Sequence, residues 1–155
     1  MEFKKTSRKI DWIVIHCTAT REGQDISVDQ IRKWHTDKGW SDIGYHFVID
    51  LQGNIHKGRP VSKAGAHVRG FNSKSIAISY VGGVDKDLKA KDTRTTEQKE
   101  AICSLLTDLK TQYRDAKIVG HRDFSKDKNN DGIITPSEWM KMCPSYDVQS
   151  EYNYM

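Results

Sequence analysis

Two periodicities divide this chain. Ile10 to Cys17 (IDWIVIHC) is a nearly continuous apolar run rich in branched residues, the pattern of a strand buried on both faces. Ser27 to Gly39 opens with Ser27 and Gln30 at capping-box spacing, sets Ile31 and Trp34 one helical step apart and stops at a glycine, which predicts a helix. GYHFVID and NIHKG flank Leu51-Gln52-Gly53 and read as two strands joined by a tight turn. Ser75 to Val81 (SIAISYV) alternates and meets Gly82-Gly83, so it reads as a further strand ending at a turn. Thr95 to Tyr113 starts with a second capping box, Thr95 and Gln98, and places Ala101, Ile102, Leu105, Leu106 and Leu109 on one helical face. Lys117 to Gly120 (KIVG) is a short strand delivering His121, followed by a non-helical HRDFSK stretch, a loop and a brief helix around Trp139. Strands interleaved with amphipathic helices predict a mixed α/β fold with a central mixed β-sheet flanked by α-helices.

Size and composition narrow this picture. A chain of 155 residues, 36% of them hydrophobic, suits one domain with a real core across 1–155. Charged residues make up 30% and the net charge is +4, a mild pull toward anionic partners that bacterial wall polymers satisfy as well as nucleic acid. No apolar run has transmembrane length, and the basic start, MEFKKTSRKIDWIVIH, lacks the apolar stretch and small-residue cleavage site of a secretory signal. The expectation is synthesis in the cytoplasm without a signal peptide and no membrane insertion. Cys17, Cys103 and Cys143 are an odd number without framework spacing, which favours reduced thiols or a metal ligand over a stapled secreted fold.

The candidate chemistry begins with two histidines at strand ends, His16 after IVI and His121 after IVG. Strand ends are where rigid elements present polar groups to a cleft. Cys143, braced by Pro144, supplies a third donor of a type that completes a zinc site with an open fourth position. Such a site lowers the pKa of water to about 7, where an amide can be attacked. The three are far apart in sequence, so spacing alone does not join them.

In series, IVIHCTAT, GYHFVID, AGAHVRGFN, VGHRD and KMCPS resemble the zinc-dependent N-acetylmuramoyl-L-alanine amidases of type 2, the group of phage lysozyme-type amidases and peptidoglycan recognition proteins. The resemblance runs from about Ile10 to Asp147 and implies a peptidoglycan-recognition-protein-like amidase fold. It implies zinc on His16, His121 and Cys143, and hydrolysis of the amide between N-acetylmuramic acid and L-alanine of the stem peptide. Tyr45 is similar to a tyrosine that hydrogen-bonds the water or the developing oxyanion, and Lys141 to a lysine that stabilises negative charge. His67 and Asn72 match a substrate-side loop. The implied partner is peptidoglycan or a muropeptide, not nucleic acid, bound by a monomer acting on the bacterial cell wall as a phage or mobile-element lysin. The alternative is a non-catalytic peptidoglycan-binding recognition module; retention of Cys143 argues against it.

Two features depart from the family pattern. Where some members place a glutamate as general base near the tyrosine block, this chain offers Asp42. Between His121 and Cys143 it also carries a longer segment, a calcium-loop-like insertion at 123–139. Asp127, Asn129, Asp131, Ile133, Thr135 and Glu138 occupy positions one, three, five, seven, nine and twelve of an EF-hand loop, with Gly132 at six, which predicts Ca2+ there. The competing reading is local: Thr135-Pro136-Ser137-Glu138 is also a capping box with proline at the first helical position. Of the remaining residues, Cys17 is expected in the core, Cys103 partly buried, His46 inside the sheet, and His35 and His56 at the surface.

Overall fold

The computed structural model describes residues 4, 6–139 and 141–155; part of the basic opening stretch and Met140, beside Trp139, lie outside them. In chain order the elements are β1 (Trp12–Cys17), β2 (Thr20–Arg21), α1 (Val28–Asp37), β3 (Phe47–Ile49), β4 (Ile55–Lys57), β5 (Ser75–Tyr80), β6 (Gly83–Val84), α2 (Thr96–Gln112), β7 (Lys117–Gly120) and α3 (Val148–Glu151). Five strands form one sheet in the order β4-β3-β5-β1-β7. β4 runs antiparallel to β3, and the other pairings are parallel. β2 and β6 make a separate two-stranded parallel sheet.

β1 lies between two parallel neighbours, and Ile13, Val14 and Ile15 are all fully buried, as its continuous apolar run requires. Alternate residues serve different layers. Ile13, Ile15 and Cys17 join Ile76, Ile78, Phe47 and the α2 residues Ile102, Leu105, Leu106 and Leu109 in the main core. Val14 packs on the opposite face with Val68, Val119 and the rings of Trp12, Phe71 and Phe124. His16, next in phase with Val14, therefore leaves the sheet on the face away from α2.

β5 forms as the alternating SIAISY stretch predicts, and all six of its residues are buried. Parallel partners flank it and layers cover both faces, so alternation here is one of size rather than polarity. The small residues Ser75, Ala77 and Ser79 leave room for imidazoles on the face opposite the helix core. HRDFSK departs from expectation, because His121–Phe124 forms a 3-10 turn. The brief helix near Trp139 is a 3-10 turn at Pro136–Glu138.

Both long helices start where their caps predict. Ser27 Oγ accepts the Gln30 N–H at 3.1 Å. Thr95 and Gln98 form the reciprocal box, at 3.0 Å and 2.9 Å. Gln98 is fully buried, and its amide Nε2 also donates to the Val81 carbonyl at 2.9 Å, tying the start of α2 to the end of β5. No helix among the described residues is long and apolar enough to cross a membrane.

His46 couples this packing to pH. It is 1% exposed; its Nδ1 accepts the Ala77 N–H at 3.0 Å, so Nε2 carries the hydrogen and donates to the Lys63 carbonyl at 2.8 Å. Burial holds its pKa down to about 4. An unfolded histidine titrates near 6.5, so between about pH 6.5 and about pH 4 the unfolded chain binds a proton the folded one refuses. The stability is present in full above that window and is lost as pH falls through it, by about 3 kcal/mol for this residue. Urea midpoints at pH 7 and pH 4 should show the loss in the parent and a smaller one in His46→Asn, whose amide oxygen can still accept from Ala77. Equal losses in both would remove His46 as the cause.

Candidate metal centre and cleft

β1 and β7 end together because Ile15 pairs with Gly120, and His16 and His121 follow as the next residues. Their ring centroids are 4.7 Å apart. Cys143 arrives from the far side of the loop and is held at both ends. The Arg122 N–H donates to its carbonyl at 2.9 Å and the Cys17 N–H to its Sγ at 3.2 Å. The sulfur stands 3.8 Å from His16 Nδ1, and one ligating atom of each of the three residues lies within 4.8 Å of the others. Tetrahedral zinc with bonds of about 2.0–2.3 Å needs donors about 3.3–3.8 Å apart, so two imidazoles and one thiol placed this way fit that metal.

The electrostatics favour a cation. Burial first, then His67, His121 and Lys141, holds His16 well below the ordinary histidine range. Burial and Lys141 hold His121 down to about 4. Both rings are therefore neutral at pH 7, with a lone pair free. The Cys17 thiol alongside, and then burial, push the Cys143 thiol up, so this sulfur becomes a thiolate at neutral pH only beside positive charge.

A second row of side chains supports the first. His16 Nε2 lies 2.9 Å from His67 Nδ1, and His67 Nε2 lies 2.9 Å from Ser75 Oγ. With His16 Nδ1 turned to the sulfur, its Nε2–H donates to His67, and the His67 Nε2–H donates to Ser75. Burial holds the His67 pKa down to about 3, which keeps this ring neutral. Asn72 Oδ1 accepts the N–H groups of both His67 and Val68 at 2.9 Å, closing the turn that presents the ring. His67 and Asn72 thus come together as expected, but with their polar atoms engaged inside the protein.

The cleft over these residues has a volume of about 610 Å³, and its lining includes Trp34, His35, Tyr45, His121, Lys141 and Cys143. An adjoining hollow of about 450 Å³ shares Trp40, His67, His121 and Lys141 and continues past Asn72 to Phe124. The Tyr45 ring centroid is 5.2 Å from that of His16. Burial pushes its phenol up, so it stays a protonated donor. Lys141 is exposed at the mouth.

His35 is a correction: expected at the surface, it is 8% exposed and lines the cleft, its Nδ1 accepting the Gly44 N–H at 2.8 Å. Its position four residues after buried Ile31, on the same helical face, was the available signal. Asp37, paired with Lys33 at 2.9 Å, also lines the cleft, as do Thr18 and Lys38, and pattern reasoning singled out none of them. Asp42 is bound by Arg32 at 2.9 Å and by the Ile43 N–H at 2.7 Å, away from the cleft lining. Cys17 is buried in the core, Cys103 is half-buried, and His56 pairs with Asp50 at 2.8 Å on the surface.

Comparison with known proteins gives a consistent answer. The sequence model of the family described as N-acetylmuramoyl-L-alanine amidase matches residues 6–136, a stretch containing His16 and His121 and ending before Cys143. The endolysin of Klebsiella phage KP32 is 38% identical over 137 residues, covering 88% of this chain and 82% of that protein. The endolysin of Escherichia phage T7 is 34% identical over 145 residues, covering 94% and 87%. Among solved structures, bumblebee PGRP-SA superposes with a TM-score of 0.70 at 26% identity, covering 99% of this chain and 89% of that one. The N-acetylmuramoyl-L-alanine amidase LysC from Clostridium intestinale shares the fold with a TM-score of 0.71 at 23% identity, covering 94% and 87%.

Proposed function

The chain belongs to the N-acetylmuramoyl-L-alanine amidase family, and from that premise we propose that it is a zinc hydrolase cleaving the amide between N-acetylmuramic acid and L-alanine of the peptidoglycan stem peptide. The observation that carries the reading is the meeting of His16, His121 and Cys143 at the wall of an open cleft. Bound by these three, zinc would supply Lewis acidity toward water and the scissile carbonyl.

The chain's own residues do the rest. The Tyr45 hydroxyl, kept protonated, donates to the oxygen that gains negative charge as the carbonyl becomes tetrahedral. Lys141 adds a full positive charge at the same mouth. Trp34 and Trp40, 39% and 37% exposed on the rim, offer flat apolar faces to sugar rings or to the peptide. The endolysin relatives support a place for this reaction at the bacterial wall during phage lysis, and Cys143 in position supports catalysis over mere recognition.

Digestion of purified peptidoglycan tests the reading. Turbidity should fall, free amino groups of L-alanine should appear without new reducing sugar ends, and elemental analysis should find one zinc per chain. New reducing ends, or cleavage within the peptide with the alanine amide intact, would assign a different bond.

His67 is proposed as a positioning residue that orients His16 through the hydrogen-bond chain ending at Ser75. Loss of such an outer partner typically weakens metal binding about 10–100-fold. His67→Phe should show that loss in chelator competition, and Ser75→Ala a smaller one. Unchanged zinc affinity in both would return His67 to the substrate side.

A further inference from the structure

The loop between Pro136–Glu138 and the His121–Phe124 turn gathers three carboxylates away from the cleft. Asp127, Asp131 and Glu138 each bring one oxygen within 4.8 Å of the others. Among the described residues, no lysine or arginine forms an ion pair with any of them. Asp127 Oδ2 accepts the Gly132 N–H at 2.7 Å, while its Oδ1 is fully buried with no hydrogen-bond partner. Glu138 is 3% exposed, and its carboxylate meets that of Asp127. A buried acceptor without a donor, in contact with a second buried carboxylate, is stabilised by a positive charge between them.

The donor set says which charge. All the candidate atoms are hard oxygens, with no sulfur or imidazole among them, which selects calcium or magnesium over zinc. Asp127, Asp131 and Glu138 each offer an oxygen around a backbone turned by Gly132 at φ 82°, and this irregular set suits the larger, more flexible shell of calcium better than the near-ideal octahedron of magnesium. The local reading holds as well: Glu138 Oε1 accepts the Thr135 N–H and hydroxyl, and Oε2 accepts the Lys128 N–H. Oε1 uses both lone pairs on Thr135, whereas Oε2 keeps one beyond the Lys128 N–H, so capping is compatible with coordination through Oε2. Asn129 is hydrogen-bonded to Asp131 and Ile133 is 64% exposed, leaving the latter's carbonyl, not its side chain, as a ligand group.

We propose that Asp127–Glu138 is a calcium site whose occupancy fixes the segment running on to Lys141 and Cys143. Trp139 follows Glu138 directly, and its ring lies under the Arg122 guanidinium at 3.7 Å. The Arg122 N–H in turn holds the Cys143 carbonyl. Calcium on the loop is thereby linked to the metal ligand through one cation–π contact and one hydrogen bond. The binding claim stands independently of the amidase reading; only the coupling rests on it.

Calcium chloride titrated into the full-length, zinc-loaded chain should bind at one ion per chain. At 100-fold excess over the dissociation constant it should raise the melting midpoint by about 5 °C or more. Asp127→Asn and Asp131→Asn, assayed separately in case one fails to fold, should each weaken binding at least tenfold. Absence of binding heat together with an unchanged midpoint, or parent-like binding in both variants, would overturn the site. Calcium binding that leaves zinc affinity unchanged would overturn the coupling. Cys143→Ala separates the two readings, since it should keep the calcium response while losing wall digestion.

Discussion

Cys143→Ala should abolish clearing of purified walls, by about a thousandfold or more, and lower bound zinc below one per chain. A thousandfold corresponds to about 4 kcal/mol of barrier. The size follows from the geometry. Among the described residues, two neutral imidazoles and one thiolate form the set of protein donors, and the sulfur is the one that brings negative charge. Its removal leaves His16 and His121 in a buried, positively biased corner, where Lys141 opposes cation binding with nothing to offset it. Cys143→Ser is the informative control. It keeps a side chain able to accept from the Cys17 N–H, so the fold should melt as the parent does without zinc, yet a hydroxyl does not ionise at neutral pH as a metal-bound thiol does. Clearing at parental rate by either variant would remove the zinc hydrolase assignment.

Tyr45→Phe carries the second large effect, a fall of about 10²–10³ in kcat with KM little changed. The substitution deletes one hydroxyl and leaves the ring, which packs beside His16 and His35 at centroid distances of 5.2 Å and 5.3 Å. Stability and zinc content should therefore survive. Because burial raises the phenol pKa, the group donates a hydrogen bond across the neutral range, and its contribution is made to the charged tetrahedral state more than to bound substrate. A variant that loses affinity for wall fragments but keeps kcat would make Tyr45 a binding residue only. Lys141, exposed and solvated at the mouth, should matter less than Tyr45 when replaced.

The elements were legible where local physics dominates. The IDWIVIHC run, the caps at Ser27 and Thr95 and the turn at Leu51–Gly53 each encode their structure within a few residues, and each forms as read. The alternation in β5 left open what covers its serines: Ser75 and Ser79 are fully buried, and Ser75 meets the His67 imidazole. His35 misled as a polar residue on the buried side of a mostly polar helix. The partners that bury them, Gly44 for His35 and His67 for Ser75, sit in the next element or loop rather than in the same helix or strand.

What the sequence determined by itself was the menu: strands of a mixed sheet, two capped helices, histidines at two strand ends, one cysteine before a proline and an acidic loop. Only the tertiary structure decided that these meet. Parallel pairing of β1 with β7 puts His16 beside His121, and the return of the chain after the acidic loop brings a sulfur 127 positions away to within 3.8 Å of the first imidazole. The same folding turned His67 from a loop residue into the hydrogen-bond partner of His16. Ligand convergence is a property of strand order and register, and those are set by the sum of many buried contacts, which no short stretch of residues contains.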